Sequence, residues 1–237
     1  MIVVGIPNTD RTRDMTPTQI DSETPSMNAK NTGGGPNFLK FIEKELTPHI
    51  DLSYPTQPYR MLIGHSLGGL VVMNALITRP TSFNAYICID PSMWYNKTKF
   101  LQTTKKALSE QKYTGTALYL GIANTMSTGM TLVQVDKDTS ANAHINAIRD
   151  MDKHIKSDPQ NGLRYRSTYY SDDTHGSVPL MAEYNGLRFI FDFHDLKMTT
   201  EEQADTNTVL ADRYKAHYTM VSKRMGYTAR HSEPLIN

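Results

Sequence analysis

The chain has 237 residues, a length that one α/β domain with a modest appendage fills, so two independent folds are not expected. Its 25 Lys and Arg against 24 Asp and Glu leave a formal charge of +1, which gives no global field for holding nucleic acid or an anionic membrane. The single cysteine, Cys88, excludes an intramolecular disulfide and a Cys-based zinc cluster, and apolar runs as short as residues 85–89 fall far below the ~20 of a membrane helix.

Residues 1–7 have neither a basic stretch nor a long apolar one, so no signal peptide is expected in this chain. The compartment stays open: cytoplasmic, or periplasmic or secreted if the chain is truncated at its N-terminus. The first predicted element is a strand over residues 2–6, closed by Pro7 and Asn8. Residues 9–35, polar and without apolar periodicity, read as a long loop. Pro36 opens a helix with Phe38, Phe41, Ile42 and Leu46 at helical spacing, running until Pro48. A strand over 59–63, a helix over 67–78 ended near Pro80, and a strand over 85–89 follow. The next strand is 117–123, followed by an irregular loop, 124–138. A helix over 139–156 carries Ile145, Ile148, Met151 and Ile155 on one stripe. A strand over 163–170, a loop over 171–178 and a helix opening at Pro179, with Leu180, Tyr184, Leu187 and Phe191 on one face, complete the core. Beyond His194 the composition turns polar, and Tyr214, Tyr218, Val221 and Met225 at helical spacing predict a small helical appendage. The alternation predicts a mostly parallel sheet flanked by helices, with residues 1–195 as the core and 196–237 as the extension.

The informative motif is Gly64-His65-Ser66-Leu67-Gly68-Gly69, directly after a predicted strand and directly before a predicted helix. G-x-S-x-G in that context is a nucleophile elbow. Its turn forces the serine into a strained backbone conformation, which small residues at Gly64 and Gly68 allow by letting strand and helix approach. The Ser66 hydroxyl then projects beyond the sheet, at the positive end of a helix, and the Leu67 amide can receive developing oxyanion charge.

A serine nucleophile needs a base, which in this fold comes last in chain order. Of the eight histidines, His65 is within the elbow and can line the pocket, and His144 and His154 belong to a predicted helix. His49, His194, His217 and His231 fall at element ends or in the tail. His175, in Asp172-Asp173-Thr174-His175-Gly176-Ser177, follows the last predicted strand and precedes the last core helix, where this architecture delivers its general base.

With these residues, three further blocks, Val3 to Asp14, Ile89-Asp90-Pro91-Ser92-Met93-Trp94 and Asp173-Thr174-His175-Gly176-Ser177, make the chain resemble the putative-esterase family of α/β-hydrolases. That group includes enterochelin esterase and related siderophore and carboxylic-ester hydrolases, and the resemblance covers most of residues 1–194. It implies an α/β-hydrolase fold and a serine hydrolase with a Ser–His pair, sometimes completed by an acid, without metal or other cofactor. Ser66 matches the nucleophile and His175 the base.

The acid is less legible. The fold usually places it after the strand preceding the histidine's strand, where this chain has Asn124-Thr125. The next carboxylates are Asp136 and Asp138; Asp138 is the expected acid, although it could equally cap the helix that follows. A Ser–His dyad stays open. Asp172, Asp173 and Glu183 are too close in sequence to His175, and Asp90 reads as a strand-end structural residue to be tested beside Asp138.

In α/β-hydrolases half of the oxyanion hole comes from a loop that precedes the strand beginning this chain. The sequence is therefore expected to lack the first strands of the sheet, leaving Leu67 as the oxyanion donor and an open edge that invites a homodimer. Arg11 and Arg13 could pair with an anionic substrate group or with Asp10 and Asp14. Trp94 could wall an acyl pocket or pack in the core. The expected chemistry is hydrolysis of a small-molecule carboxylic ester through an acyl-enzyme. An acyltransferase would use the same residues, and a catalytically inactive binding module is the alternative from another class.

Overall fold

The computed structural model describes residues 1–21, 27–135, 142–204 and 210–230. Four strands form one sheet, β1 (Met61–His65), β2 (Ala85–Ile89), β3 (Ala117–Ala123) and β4 (Arg164–Tyr170), in the order β1-β2-β3-β4 and all parallel. The helices in chain order are α1 (Arg11–Met15), α2 (Gly35–Phe41), α3 (Thr47–Ser53), α4 (Leu67–Thr78), α5 (Lys99–Glu110), α6 (Leu132–Val135), α7 (Ala143–Ser157), α8 (Val178–Ile190), α9 (Thr200–Ala204) and α10 (Leu210–Met225).

β2 and β3 are buried along their whole length, as expected of central parallel strands covered on both faces. Their side chains alternate. Tyr86, Cys88, Leu118, Leu120 and Ile122 join the larger core with residues of α4, α5 and α7. Ala85, Ile87, Ile89, Ala117, Tyr119 and Ala123 join the smaller core with Val178, Ala182, Phe189 and Ile190 of α8. Parallel register aligns His65 with Ile89 and Ile89 with Gly121, so the C-terminal ends of the strands gather at one edge of the sheet. That is where open α/β sheets bind ligands.

Several predicted boundaries are corrected. Residues 1–8 form no strand, and Met1 and Val3 are 87% and 80% exposed; among the described residues no strand lies beside them to take their backbone hydrogen bonds. β1 lies two residues further along than predicted and runs directly into Ser66. The helix opening at Pro36 does not stop at Pro48: a π-helical turn, Ile42–Leu46, with the Thr47 amide bonded to the Ile42 carbonyl, joins α2 to α3. The wider turn accommodates a ring that would clash in an unbroken α-helix. α5 was unforeseen because Thr and Lys dilute its buried Phe100, Leu101, Thr104 and Leu108. The long loop contains α1 and a 3-10 turn, Ala29–Asn31, and is tied down by the Tyr95 hydroxyl donating to the Thr18 carbonyl at 2.6 Å. In the tail, α10 turns Val221 fully inward with Tyr214, Tyr218 and Met225 half-buried beside it, the stripe expected from spacing. No helix among the described residues is long and apolar enough to cross a membrane.

Candidate active site

Ser66 stands between β1 and α4 with φ 60° and ψ −117°, a strained conformation for a residue with a Cβ. Its neighbours hold it there. The Ser66 amide donates to the Ile89 carbonyl at 3.0 Å, and the Ser66 carbonyl accepts from the Ser92 amide at 3.1 Å. A Cβ at Gly64 would stand 2.2 Å from the Gly68 carbonyl oxygen, and one at Gly69 would stand 2.7 Å from the Pro91 side chain, whereas one at Gly68 would meet nothing within 4 Å. The close approach therefore depends on Gly64 and Gly69, a correction to the expectation that Gly68 is the second required glycine. Leu67 opens α4, so its amide is among the first-turn donors that a helix leaves without an internal acceptor.

Asp90, immediately after β2, is fully buried and also left-handed, with φ 40°. Its Oδ1 accepts from the Ala123 amide at 3.0 Å, and its Oδ2 lies 2.6 Å from His175 Nδ1 and 2.8 Å from His144 Nε2. Burial pushes this carboxyl's pKa up, but the hydrogen bond and charge of His144, the bond from His175 and the Ala123 amide outweigh it and hold the group below the usual carboxylate range. Asp90 is thus an anion in the interior, satisfied by three donors.

His175 reaches it from the loop between β4 and α8. That loop is fixed by the Asn124 amide donating to the Asp173 carbonyl at 2.8 Å and by Asn124 Nδ2 donating to the Ser171 carbonyl at 2.9 Å. Ser177 donates to Asp173 at 2.8 Å, which occupies that carboxylate structurally. With Nδ1 engaged on Asp90, the second nitrogen of His175 is left to face another partner. Ser66 Oγ lies 3.4 Å from Ser92 Oγ, and among the described residues no hydrogen bond joins it directly to His175.

The remaining predicted site residues divide. The His65 ring packs against that of His175 at 4.4 Å between centroids, with Nε2 buried and without a hydrogen-bond partner. Burial, then the charges of His175 and Arg11, depress its pKa, so it is neutral at neutral pH. Arg11 lies on α1 and its charge acts on His65, whereas Arg13 is paired with Asp14 at 2.8 Å. Trp94 is partly buried against the larger core. Asp138 lies outside the described residues. The carboxylate at the His175 ring is Asp90, expected from sequence to be a strand-end structural residue; its position directly after the strand next to that of Ser66 is the sequence signal for it. His144, expected from sequence only as a helix residue, meets the same carboxylate. Asp90, His144 and His175 offer donor atoms within 4.8 Å of one another, a set that could in principle surround a metal ion. At 2.6 and 2.8 Å the two ring nitrogens stand at hydrogen-bonding distance from the carboxylate oxygen.

Residues 1–170 match the family described as Putative esterase. Among curated proteins, the ferri-bacillibactin esterase BesA of Bacillus subtilis is 30% identical over 158 residues, 66% of this chain and 52% of that protein. The siderophore enterobactin esterase of Emericella nidulans is 34% identical over 123 residues, 46% of this chain and 41% of that protein. The chain thus spans about half the length of these relatives or less. Among solved structures, an IroE-like serine hydrolase from Shewanella oneidensis superposes with a TM-score of 0.76 at 28% identity, covering 96% of this chain and 68% of that one. The sheet, its helices and the C-terminal extension therefore form an α/β-hydrolase arrangement.

Proposed function

The chain belongs to the Putative esterase family, and from that premise we propose that it is a serine hydrolase of carboxylic esters, with Ser66 as nucleophile, His175 as general base and Asp90 as the acid that orients it. The observation carrying this reading is the 2.6 Å bond from His175 Nδ1 to buried Asp90, at the same end of the sheet as a serine strained to φ 60°. Nδ1–H donation to Asp90 fixes the tautomer whose Nε2 lone pair can take a proton. In this reading the Ser66 hydroxyl turns from Ser92 toward His175, transfers its proton to Nε2 and attacks the ester carbonyl. The Asp90 anion stabilises the imidazolium, and the Leu67 amide donates to the tetrahedral oxyanion. His175 then protonates the leaving alcohol, and afterwards activates water to hydrolyse the acyl-enzyme. Asp90 takes the place expected for Asp138.

The relatives named as siderophore esterases support an iron-carrier ester as the substrate class. Arg11 is suited to pair with a catecholate or carboxylate of such a ligand, with neutral His65 walling the pocket. The unbonded Ser66–His175 pair favours a second reading, an inactive hydrolase-like binding module. A fluorophosphonate probe separates the two: labelling at Ser66, lost in Ser66→Ala and His175→Ala, supports the hydrolase, whereas a folded, unlabelled protein leaves the binding module. Hydrolysis of a catecholate trilactone against a simple nitrophenyl ester then tests the substrate class. The open edge of β1, where Ile63 is 38% exposed, supports the homodimer reading; a monomeric mass in sedimentation at working concentration would sink it.

A further inference from the structure

Ester hydrolysis by Ser66 and His175 needs one imidazole on Asp90, yet the carboxylate carries two. His144, in the first turn of α7, approaches Oδ2 at 2.8 Å, the same oxygen that His175 approaches at 2.6 Å. The two rings meet edge to face, 5.2 Å apart at 89°. Asp90 is fully buried, so water does not share its charge, and its partners are the two rings and the Ala123 amide. One carboxylate oxygen can accept from both nitrogens, which makes His144 the Nε2–H tautomer and His175 the Nδ1–H tautomer. Other ionisable groups at this cluster are His65 at the end of β1, whose ring packs on His175, Arg11 of α1, which acts on His65, and the buried Cys88 thiol of β2, which burial and the Asp90 charge keep protonated.

We propose that His144 is a positioning residue for the Ser66–His175 pair: it locks the shared Asp90 oxygen and divides its charge between two rings, so that a proton on His144 weakens His175 as a base. The inference rests on the esterase reading. His175 becomes cationic only as it takes the Ser66 proton, and one buried anion stabilises one imidazolium far better than two adjacent ones. A proton already on His144 spends the Asp90 charge before that transfer occurs. With His144 protonated, the shared Asp90 oxygen holds less charge for His175, which is then the weaker base toward Ser66.

The test compares kcat and KM for wild type, His144→Gln and His144→Leu between about pH 5 and 8. Gln keeps an N–H donor and never becomes charged. The wild-type acid limb is expected to fall in two steps, and that of His144→Gln in one, with its plateau kcat close to wild type. His144→Leu is expected to lose about tenfold or more in kcat at unchanged KM, as removal of an outer support does elsewhere. Superimposable acid limbs for wild type and His144→Gln, or a wild-type kcat in His144→Leu, would overturn the proposal. A readout independent of turnover is the proton NMR of the imidazole N–H groups. Two strongly downfield signals are expected, both lost in Asp90→Asn and one lost in His144→Gln; a single signal in the wild type contradicts the sharing. Absence of fluorophosphonate labelling in the wild type removes the esterase reading, whereas normal labelling with unchanged variants removes this inference alone.

Discussion

Asp90 shows how burial and partners decide what a carboxylate does. An aspartate after a strand is ordinarily a turn or cap residue, and local sequence offers nothing else. Here its fully buried side chain receives Ala123, His144 and His175, and its charge is retained because three donors replace water. In the proposed mechanism, replacing it removes the anion that stabilises the imidazolium and fixes the His175 tautomer. Asp90→Asn is expected to lower kcat on the order of 10⁴-fold, while Asp138→Asn leaves it near wild type; steady-state kinetics of the two purified variants decides between them. The turn that carries Ser66 and the loop that carries His175, by contrast, can be placed from sequence, the first by a local motif and the second by its place between the last core strand and helix. Asp90 and His144 are 54 positions apart and meet only after folding.

At the scale of elements, the elbow depends on how near α4 comes to β1 and to the segment after β2. Gly64→Ala places a Cβ against the Gly68 carbonyl and Gly68→Ala places one in open space. We expect Gly64→Ala to destabilise by roughly 1–3 kcal/mol or more through overpacking, lowering Tm by about 2–4 °C for each kcal/mol in a chain of this size. Gly68→Ala should melt within a degree or two of wild type, and calorimetry on the pair checks the contrast. Sequence patterning located the strands that became β2 and β3 residue for residue, since a strand buried on both faces is a continuous apolar run. It missed α5 because most of that helix faces water, and it carried a strand into residues 2–6 because a short apolar run looks alike with or without a pairing partner.

For the whole molecule, two partly or fully buried groups at the C-terminal end of the sheet contribute acid sensitivity beyond that of the exposed carboxylates. His65 has a depressed pKa in the fold, so the unfolded chain takes up its proton first as pH falls. The stability linked to His65 is complete above its unfolded value of about 6.5 and is lost as pH drops from there through the folded value. Asp90, also depressed, contributes stability that is complete above about 3.9 and is lost below it by the same sign. Denaturant midpoints measured from neutral pH downward should therefore decline in two stages; His65→Phe should flatten the first and leave the second. A flat midpoint between about pH 7 and 5 would contradict the His65 assignment.

The sequence by itself determined the alternating α/β plan, the position of the elbow and the histidine loop, and the apolar stripe of the C-terminal helix, because each is written in spacing over a few turns or a few residues. Tertiary structure alone decided which carboxylate meets His175, that a second histidine shares it, and which glycines the elbow requires. Those outcomes depend on parallel register bringing the ends of β1, β2 and β3 together, and on burial that makes a carboxylate seek protein donors in place of water. Neither quantity is carried by any short stretch of the chain.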